Sequence, residues 1–352
     1  MKKKIITVVS TLALISLLAG CYPSGVKTPS DTVNSTSQPI SDTVGGDENN
    51  SDSVETSEAV GDKVPSVTLS PRKWDNKKIT DYFLSGKTIS KTSEYESDDF
   101  PNEKRYVYDT EDDLRLILER GRITFDNKAL LLEFSYGYIQ TFLDNSYFED
   151  LNGELASLSK SSATDTVTRV LNDIGINNFG EPEIYAVTAA DAKKICSNEF
   201  EIADWTSDNE VYIMKFPLIY EDVPIIQKAV AIGETDIGFH GSYIDAIVSK
   251  DGVISLKLNG IQSEEYQTNE SVEIKIGADT AKQKLFDYYP ETGELSPPEI
   301  IGWHLVYFPT AKQGDTYVFE PYWQFDCMKT GDTIGNSKHT EYVNVHTGVR
   351  YY

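Results

Sequence analysis

Two stretches decide the fold: Ile247-Val248-Ser249-Lys250-Asp251-Gly252-Val253 and Val343-Asn344-Val345-His346-Thr347-Gly348-Val349. In each, a strand-like run enters a short polar turn closed by glycine, and valine resumes the chain. Glycine suits such turns because it adopts positive φ without a steric penalty. The two stretches differ strongly only at Val248/Asn344, Lys250/His346 and Asp251/Thr347. Each closes a series that begins with a helix. In the first, Ser162 and Asp165 form a capping pattern. Val167, Val170, Leu171 and Ile174 follow at helical spacing, and Gly175 stops the helix. Strands are predicted at 183–187, 210–219 and 225–232, with a short helix over 189–196, before a hairpin of 243–249 and 253–258. In the second, Ala281, Leu285 and Tyr288 mark the helix. Strands are predicted at 300–308, 316–325, 341–345 and 349–352. A helix followed by antiparallel strands, twice, predicts an α+β fold. Each antiparallel sheet is covered by a helix, and a tandem duplication fills the C-terminal half, with repeats at 156–260 and 261–352.

Upstream, residues 72–155 read as a separate small α+β unit. Ile79, Tyr82 and Phe83 share one face of a short helix over 76–83, and 105–108 reads as a strand. Thr110 and Asp113 resemble a capping box, and Leu114, Ile117 and Leu118 continue at helical spacing until Gly121. That pattern predicts a helix. A hairpin of 122–125 and 129–136 across Asp126-Asn127 is expected to follow.

The first seventy residues have a different character. Lys2, Lys3 and Lys4 precede an apolar run from Ile5 to Leu18, and Leu18-Ala19-Gly20-Cys21 follows. The apolar run is shorter than the roughly twenty residues that a membrane span needs. The order of charge, apolar run and small residues is that of a cleaved leader over 1–20. With cysteine last, it resembles a bacterial lipobox. That resemblance implies a lipid-modified (palmitate-bearing) Cys21 and anchorage on the outer face of the cell membrane. Residues 21–71 are rich in Ser, Thr, Asp, Asn and Gly. They read as a disordered tether, able as a flexible coil to span roughly 40 Å.

Composition narrows the partners. With 32 basic and 56 acidic side chains, the formal net charge is −24. Cleavage of the leader removes three lysines and no acids, so the mature chain is more acidic still. Such a surface repels nucleic acid and anionic lipid, which excludes both as partners of the folded part. Membrane contact is expected only through the lipid. Of three cysteines, Cys196 and Cys327 remain once Cys21 is assigned to lipid. A disulfide and two buried thiols are equally consistent with their positions. No metal or cofactor signature is present. His339 and His346 flank one predicted strand at odd spacing, which sets them on opposite faces.

A helix, then strands, then a terminal hairpin with glycine in its turn resembles PepSY-type domains. Tandem copies behind an anchor also look like the extracytoplasmic YycH/YycI regulators of Gram-positive bacteria. The lipobox and polar tether resemble clostridial-type lipoproteins. The resemblance covers about 160–352. It implies a non-enzymatic binding or regulatory module that restrains a peptidase or reports envelope state to a membrane or secreted partner.

One constellation points to catalysis instead. Ser157-Leu158-Ser159-Lys160, Ser207-Asp208-Asn209 and Lys329-Thr330-Gly331 stand in the chain order of penicillin-recognising serine acyl-transfer enzymes, which they resemble. That resemblance would make Ser157 the nucleophile with Lys160 as its proton partner, Ser207 a proton relay and Lys329 the holder of the substrate carboxylate. The context opposes it: Ser157 lies in a polar, Ser-rich linker, and the chain ends in a hairpin rather than a helix. The favoured candidate for ligand contact is therefore an aromatic groove of Trp303, Tyr307, Tyr322 and Trp323 on neighbouring strands. Core packing is the competing explanation for those rings.

Overall fold

Helices and strands alternate irregularly along the chain, yet the strands gather into two large antiparallel sheets. The computed structural model describes residues 61–131, 133–147, 149–196, 205–232, 235–291, 297–329 and 336–351. The chain begins with β1 (Lys63–Leu69), α1 (Asn76–Leu84), β2 (Ile89–Glu96), β3 (Lys104–Thr110), β4 (Leu114–Glu119) and β5 (Arg122–Asn127). Next come α2 (Glu133–Asn145), β6 (Ser146–Tyr147), α3 (Lys160–Ile174), β7 (Glu183–Val187), α4 (Ala189–Cys196) and β8 (Val211–Phe216). Two small hairpins follow, β9 (Ile219–Tyr220) with β10 (Val223–Pro224) and β11 (Val230–Ile232) with β12 (Thr235–Phe239). The last part holds β13 (Tyr243–Ser249), β14 (Gly252–Asn259), β15 (Gln267–Glu273), α5 (Ala278–Glu291), β16 (Glu299–Gln313), β17 (Thr316–Lys329), β18 (Asn336–Asn344) and β19 (Arg350–Tyr351).

The first sheet has the order β2-β3-β4-β5-β14-β13-β8-β7, and the second runs β15-β1-β17-β18-β19, with β16 also on β17 and β6 on β18. The fold is α+β. Four expectations change. Leu114–Glu119 is a strand, not a helix, and pairs with β3 and β5. The Thr110 hydroxyl does accept a backbone N–H, that of Leu114, but in a hairpin turn rather than a helix cap. The same short-range bond serves both structures. Glu133–Asn145 is a helix, and β5 pairs with β4 and β14 rather than with this segment. Lys63–Leu69 lies inside the expected tether but pairs with β15 and β17, with Val67 and Leu69 fully buried. The expected unit over 72–155 is not a separate layer, because Phe125 of β5 pairs with Leu256 of β14 in one continuous sheet.

Helix α3 shows how local sequence fixes its element. Ser159 caps it by accepting the N–H of Ser162 at 3.2 Å, three residues before the expected cap. Ala163, Val167, Leu171 and Ile174 form its buried stripe. Gly175 ends it at φ 85° in the left-handed region, which a side chain would strain. The stripe packs with Met214, Phe216, Ala246 and Leu256 of the first sheet. Helix α5 covers the second sheet in the same way, setting Ala281, Leu285 and Tyr289 on Trp323, Phe325 and Val343. Helices α2 and α4 close a third apolar cluster on the other face of the first sheet, around Ile213, Ile247 and Ile254.

Beside α5 lies a buried polar latch. Glu341 accepts two hydrogen bonds from the Arg350 guanidinium, each 2.7 Å, and one from the Tyr289 hydroxyl at 2.9 Å. The guanidinium sits 4.3 Å from the Tyr288 ring centroid. Burial pushes the Glu341 carboxyl up, but the bonds from His339, Arg350 and Tyr289 prevail and hold its pKa at about 2.

Candidate functional site

Strand β8 passes Val211-Tyr212-Ile213-Met214-Lys215-Phe216 through the middle of the molecule, and only Lys215 carries a charge. Alternate residues of a strand face opposite sides. Tyr212, Met214 and Phe216 enter the core under α3, so Lys215 faces the other way. Register then builds a ladder across four strands. Glu183 of β7 stands opposite Lys215, Lys215 opposite Asp245 of β13, and Asp245 opposite Lys257 of β14. Signs alternate at the strand spacing of about 4.8 Å, the favourable order for cross-strand pairs.

The second sheet faces this ladder with His304 of β16, Gln324 and Asp326 of β17, and Lys338 of β18, across a cavity of about 1040 Å³. Helix α2 closes one side. Gln140 donates to Asp245 at 2.7 Å, and Asp144 pairs with Lys215. Lys338 bridges the sheets by pairing with Glu183 at 3.4 Å. Gln324 donates to Asp326 at 3.0 Å. Lys228, from the segment between β10 and β11, enters the rim with no ion pair among the described residues, and Lys257 has none either. The enclosure acts on the charges. Burial raises the pKa of Asp245 even though Lys215, Lys257 and Gln140 oppose the shift. Burial lowers Lys215 against the pull of Asp245, and the nearby ammoniums of Lys338 and Lys228 add to the shift. Lys228, although exposed at the rim, is lowered by partial desolvation and by Lys338. His304 is lowered by burial, with Asp326 opposing. Charges of both signs, held partly desolvated around open space, can bind a polar ligand that brings its own charges.

The residues singled out from sequence lie elsewhere. Trp323 is buried beneath α5, and its indole N–H donates to the Ile276 carbonyl at 2.7 Å. Tyr307 is fully buried and donates to the Pro65 carbonyl at 2.8 Å. Trp303 packs against the α5 cluster under Lys282, and Tyr322 stacks on Phe308. These four rings are core and its margin and do not line a common groove. Ser157 is exposed in the turn before α3, and the Lys160 ammonium donates to the Asn152 carbonyl at 2.5 Å. Ser207 sits in the exposed 3₁₀ turn Ser207–Asn209, and Lys329 ends β17. Among the described residues no hydrogen bond joins Ser157, Lys160 and Ser207. Cys21 lies outside the described residues. Cys196 and Cys327 are free thiols in different apolar clusters, and burial pushes their pKa values up to about 11 and about 12.

With this geometry in place, the chain can be set beside known proteins. The fold has a solved counterpart. It superposes on the crystal structure of an uncharacterised protein from Eubacterium rectale with a TM-score of 0.60. The match covers 82% of this chain and 86% of that one at 12% sequence identity, a likeness of fold alone. No protein-family model and no curated relative matches the chain. Among the described residues no helix is long and apolar enough to cross a membrane.

Sequence reasoning missed the cleft, although it left one signal. Lys215 within Val211–Phe216 and Asp245 within Tyr243–Ser249 are lone charges in strands whose neighbours are mostly buried and apolar. A charge in such a setting needs a partner, and the partner was on another strand.

Proposed function

We propose that this protein is a lipid-anchored binding module on the outer face of the cell membrane, and that the charged cleft between its sheets is its ligand site. The lipobox at Leu18–Cys21 and the acidic, polar tether support the anchorage. The observation that carries the binding role is the cleft itself. Lys215, Asp245 and His304 are held there half-buried with shifted pKa values, Lys228 stands exposed at the rim, and Lys228 and Lys257 lack an ion-pair partner among the described residues. A fold gains little from burying such groups. Well-packed apolar residues of similar size are often equally stable or better. The module acts by binding, without catalysis. Its resemblance to PepSY and YycH/YycI modules supports an output through a second protein, a peptidase or a membrane sensor.

Affinity mass spectrometry tests the site. The full chain in detergent is expected to retain small polar molecules from an envelope extract, and the Lys228→Met, Lys257→Met double variant is expected to lose them. Equal retention by both would refute the site. Incorporation of labelled palmitate by wild type but not by Cys21→Ala tests the anchor.

A further inference from the structure

A second cavity of about 890 Å³ lies beside the first, and His240 lines both. Its character differs. Phe100, Phe239 and Tyr317 supply aromatic surface. The Arg120 guanidinium, 4.9 Å from the Phe100 ring centroid, is held by Asp315. Gly238, Gly241 and Gly260 line the wall, where a Cβ on each would run into the backbone carbonyl of Val230, Gln227 or Gly241. Gln262, only 1% exposed, lines the cavity with its Oε1 lacking any hydrogen-bond partner among the described residues. Each cavity is already of the size that takes one small molecule, about 300–1,000 Å³, so the pair suits something longer.

We propose that the two cavities are compartments of one site that takes a short peptide with free termini. The charged compartment holds the terminal ammonium and carboxylate, and the aromatic compartment holds side chains. This rests on the binding role proposed for the cleft. Charge balance selects the ligand class. A polyanion such as a nucleotide would find no cationic surplus, because Arg120, Arg122 and Lys312 are matched in number by Asp98, Asp99 and Asp315 in the second cavity and the lysines of the first are matched by Asp144, Glu181, Glu183, Asp245 and Asp326. A neutral glycan would leave the Lys228 and Lys257 ammoniums unmatched. A zwitterionic chain offers a carboxylate to those lysines, an ammonium to Asp326, a backbone N–H to the unpartnered Gln262 Oε1, and apolar side chains to the aromatic rings.

The junction offers the test. The His240 side chain is 62% exposed and makes one weak contact, 3.4 Å to Asp99, so substitution there spares the core. Native mass spectrometry of the full chain in detergent would compare a library of free-terminus tetrapeptides with the free amino acids. Wild type is expected to hold the peptides at least about tenfold more tightly, a difference of about 1.4 kcal/mol. His240→Trp, which plugs the junction, should abolish that preference. His240→Ala, which adds no bulk, should keep it. If wild type shows no peptide preference, or if His240→Trp leaves the preference intact, the two-compartment site is wrong while the cleft reading survives. If nothing binds, or if Lys228→Met with Lys257→Met changes nothing, both readings fall.

Discussion

The two faces of the first sheet are one residue apart along β8, and they obey different rules. Met214 and Phe216 enter the apolar core beneath α3, whereas Lys215 between them enters the cleft opposite the second sheet. Both faces are walled by protein. The helix-covered face follows from burial alone, since each apolar side chain removed from water contributes on the order of 1.5–3 kcal/mol. The cleft face carries Glu183, Lys215, Asp245 and Lys257, and enclosure penalises the charges of Lys215 and Asp245. Folding explains the face beneath α3 and also the apolar cluster under α2 and α4 on the opposite face, and only the charged row beside that cluster is left without a folding rationale.

The contrast can be broken most directly at Phe216, which is 1% exposed. Phe216→Ala should cost about 3–5 kcal/mol in urea denaturation through lost transfer energy and a residual cavity. A loss below about 1 kcal/mol would show that the helix-covered face is not the main source of stability.

A second measurement compares a well-paired buried charge with a poorly paired one. Glu341 in the latch has its pKa held at about 2, below the ordinary 4.5. Its contribution is therefore fully present above about pH 4.5 and is lost as pH falls towards 2, up to about 3 kcal/mol. Asp245 is shifted upward from 3.8, so its sign is opposite. The native state holds that proton more tightly than the unfolded chain, and stability falls as pH rises through that range. Unfolding free energies measured from pH 2 to 7 should thus diverge. Relative to wild type, Glu341→Gln should lose its deficit at low pH, and Asp245→Asn should gain stability as pH rises. Parallel profiles for the two variants would contradict the assignment.

The ladder itself is tested by substitution. Lys215→Met should cost about 1–3 kcal/mol, because it leaves the half-buried Asp245 without its neighbouring ammonium. Lys215→Met combined with Asp245→Leu should return to within about 1 kcal/mol of wild type, yet abolish ligand retention. A double variant as unstable as the sum of its parts would make the ladder a structural device. The smallest effect is expected at Gly175→Ala, about 1–2 kcal/mol by thermal unfolding, because φ 85° strains any residue with a Cβ. No change there would show that the α3 terminus relaxes freely.

Much of the architecture could be read from the residues, and the errors have physical causes. Helices α1, α3 and α4 announce themselves by spacing and, at α3, by a terminal glycine. The closing hairpins announce themselves by glycine turns: Gly252 at φ 110° and Gly348 at φ 73°. The misread segment is Leu114–Glu119. Its Leu114, Ile117 and Leu118 fit a helical stripe, while Leu116 and Leu118 fit a strand face equally well, and in so short a run periodicity cannot decide. In α2 the buried Tyr136, Ile139, Gln140 and Leu143 do recur at helical spacing, but the aromatic and apolar content resembled a strand. The aromatic groove failed for a related reason. Composition placed the rings on neighbouring strands, but it could not say that α5 covers Trp323 or that Pro65 accepts the Tyr307 hydroxyl.

By itself the sequence determined the α+β class, the terminal hairpins and the helix that covers each of their sheets. Those features rest on contacts between near neighbours or on composition, which a linear reading contains. The tertiary structure alone decided that β5 joins β14, that Lys63–Leu69 belongs to the second sheet, and that Glu183, Lys215, Asp245, Lys257 and Lys338 converge. The reason is register. A charge acquires its partner from a strand far away in the chain, and shifting that strand by a single residue would turn the whole row to the opposite face.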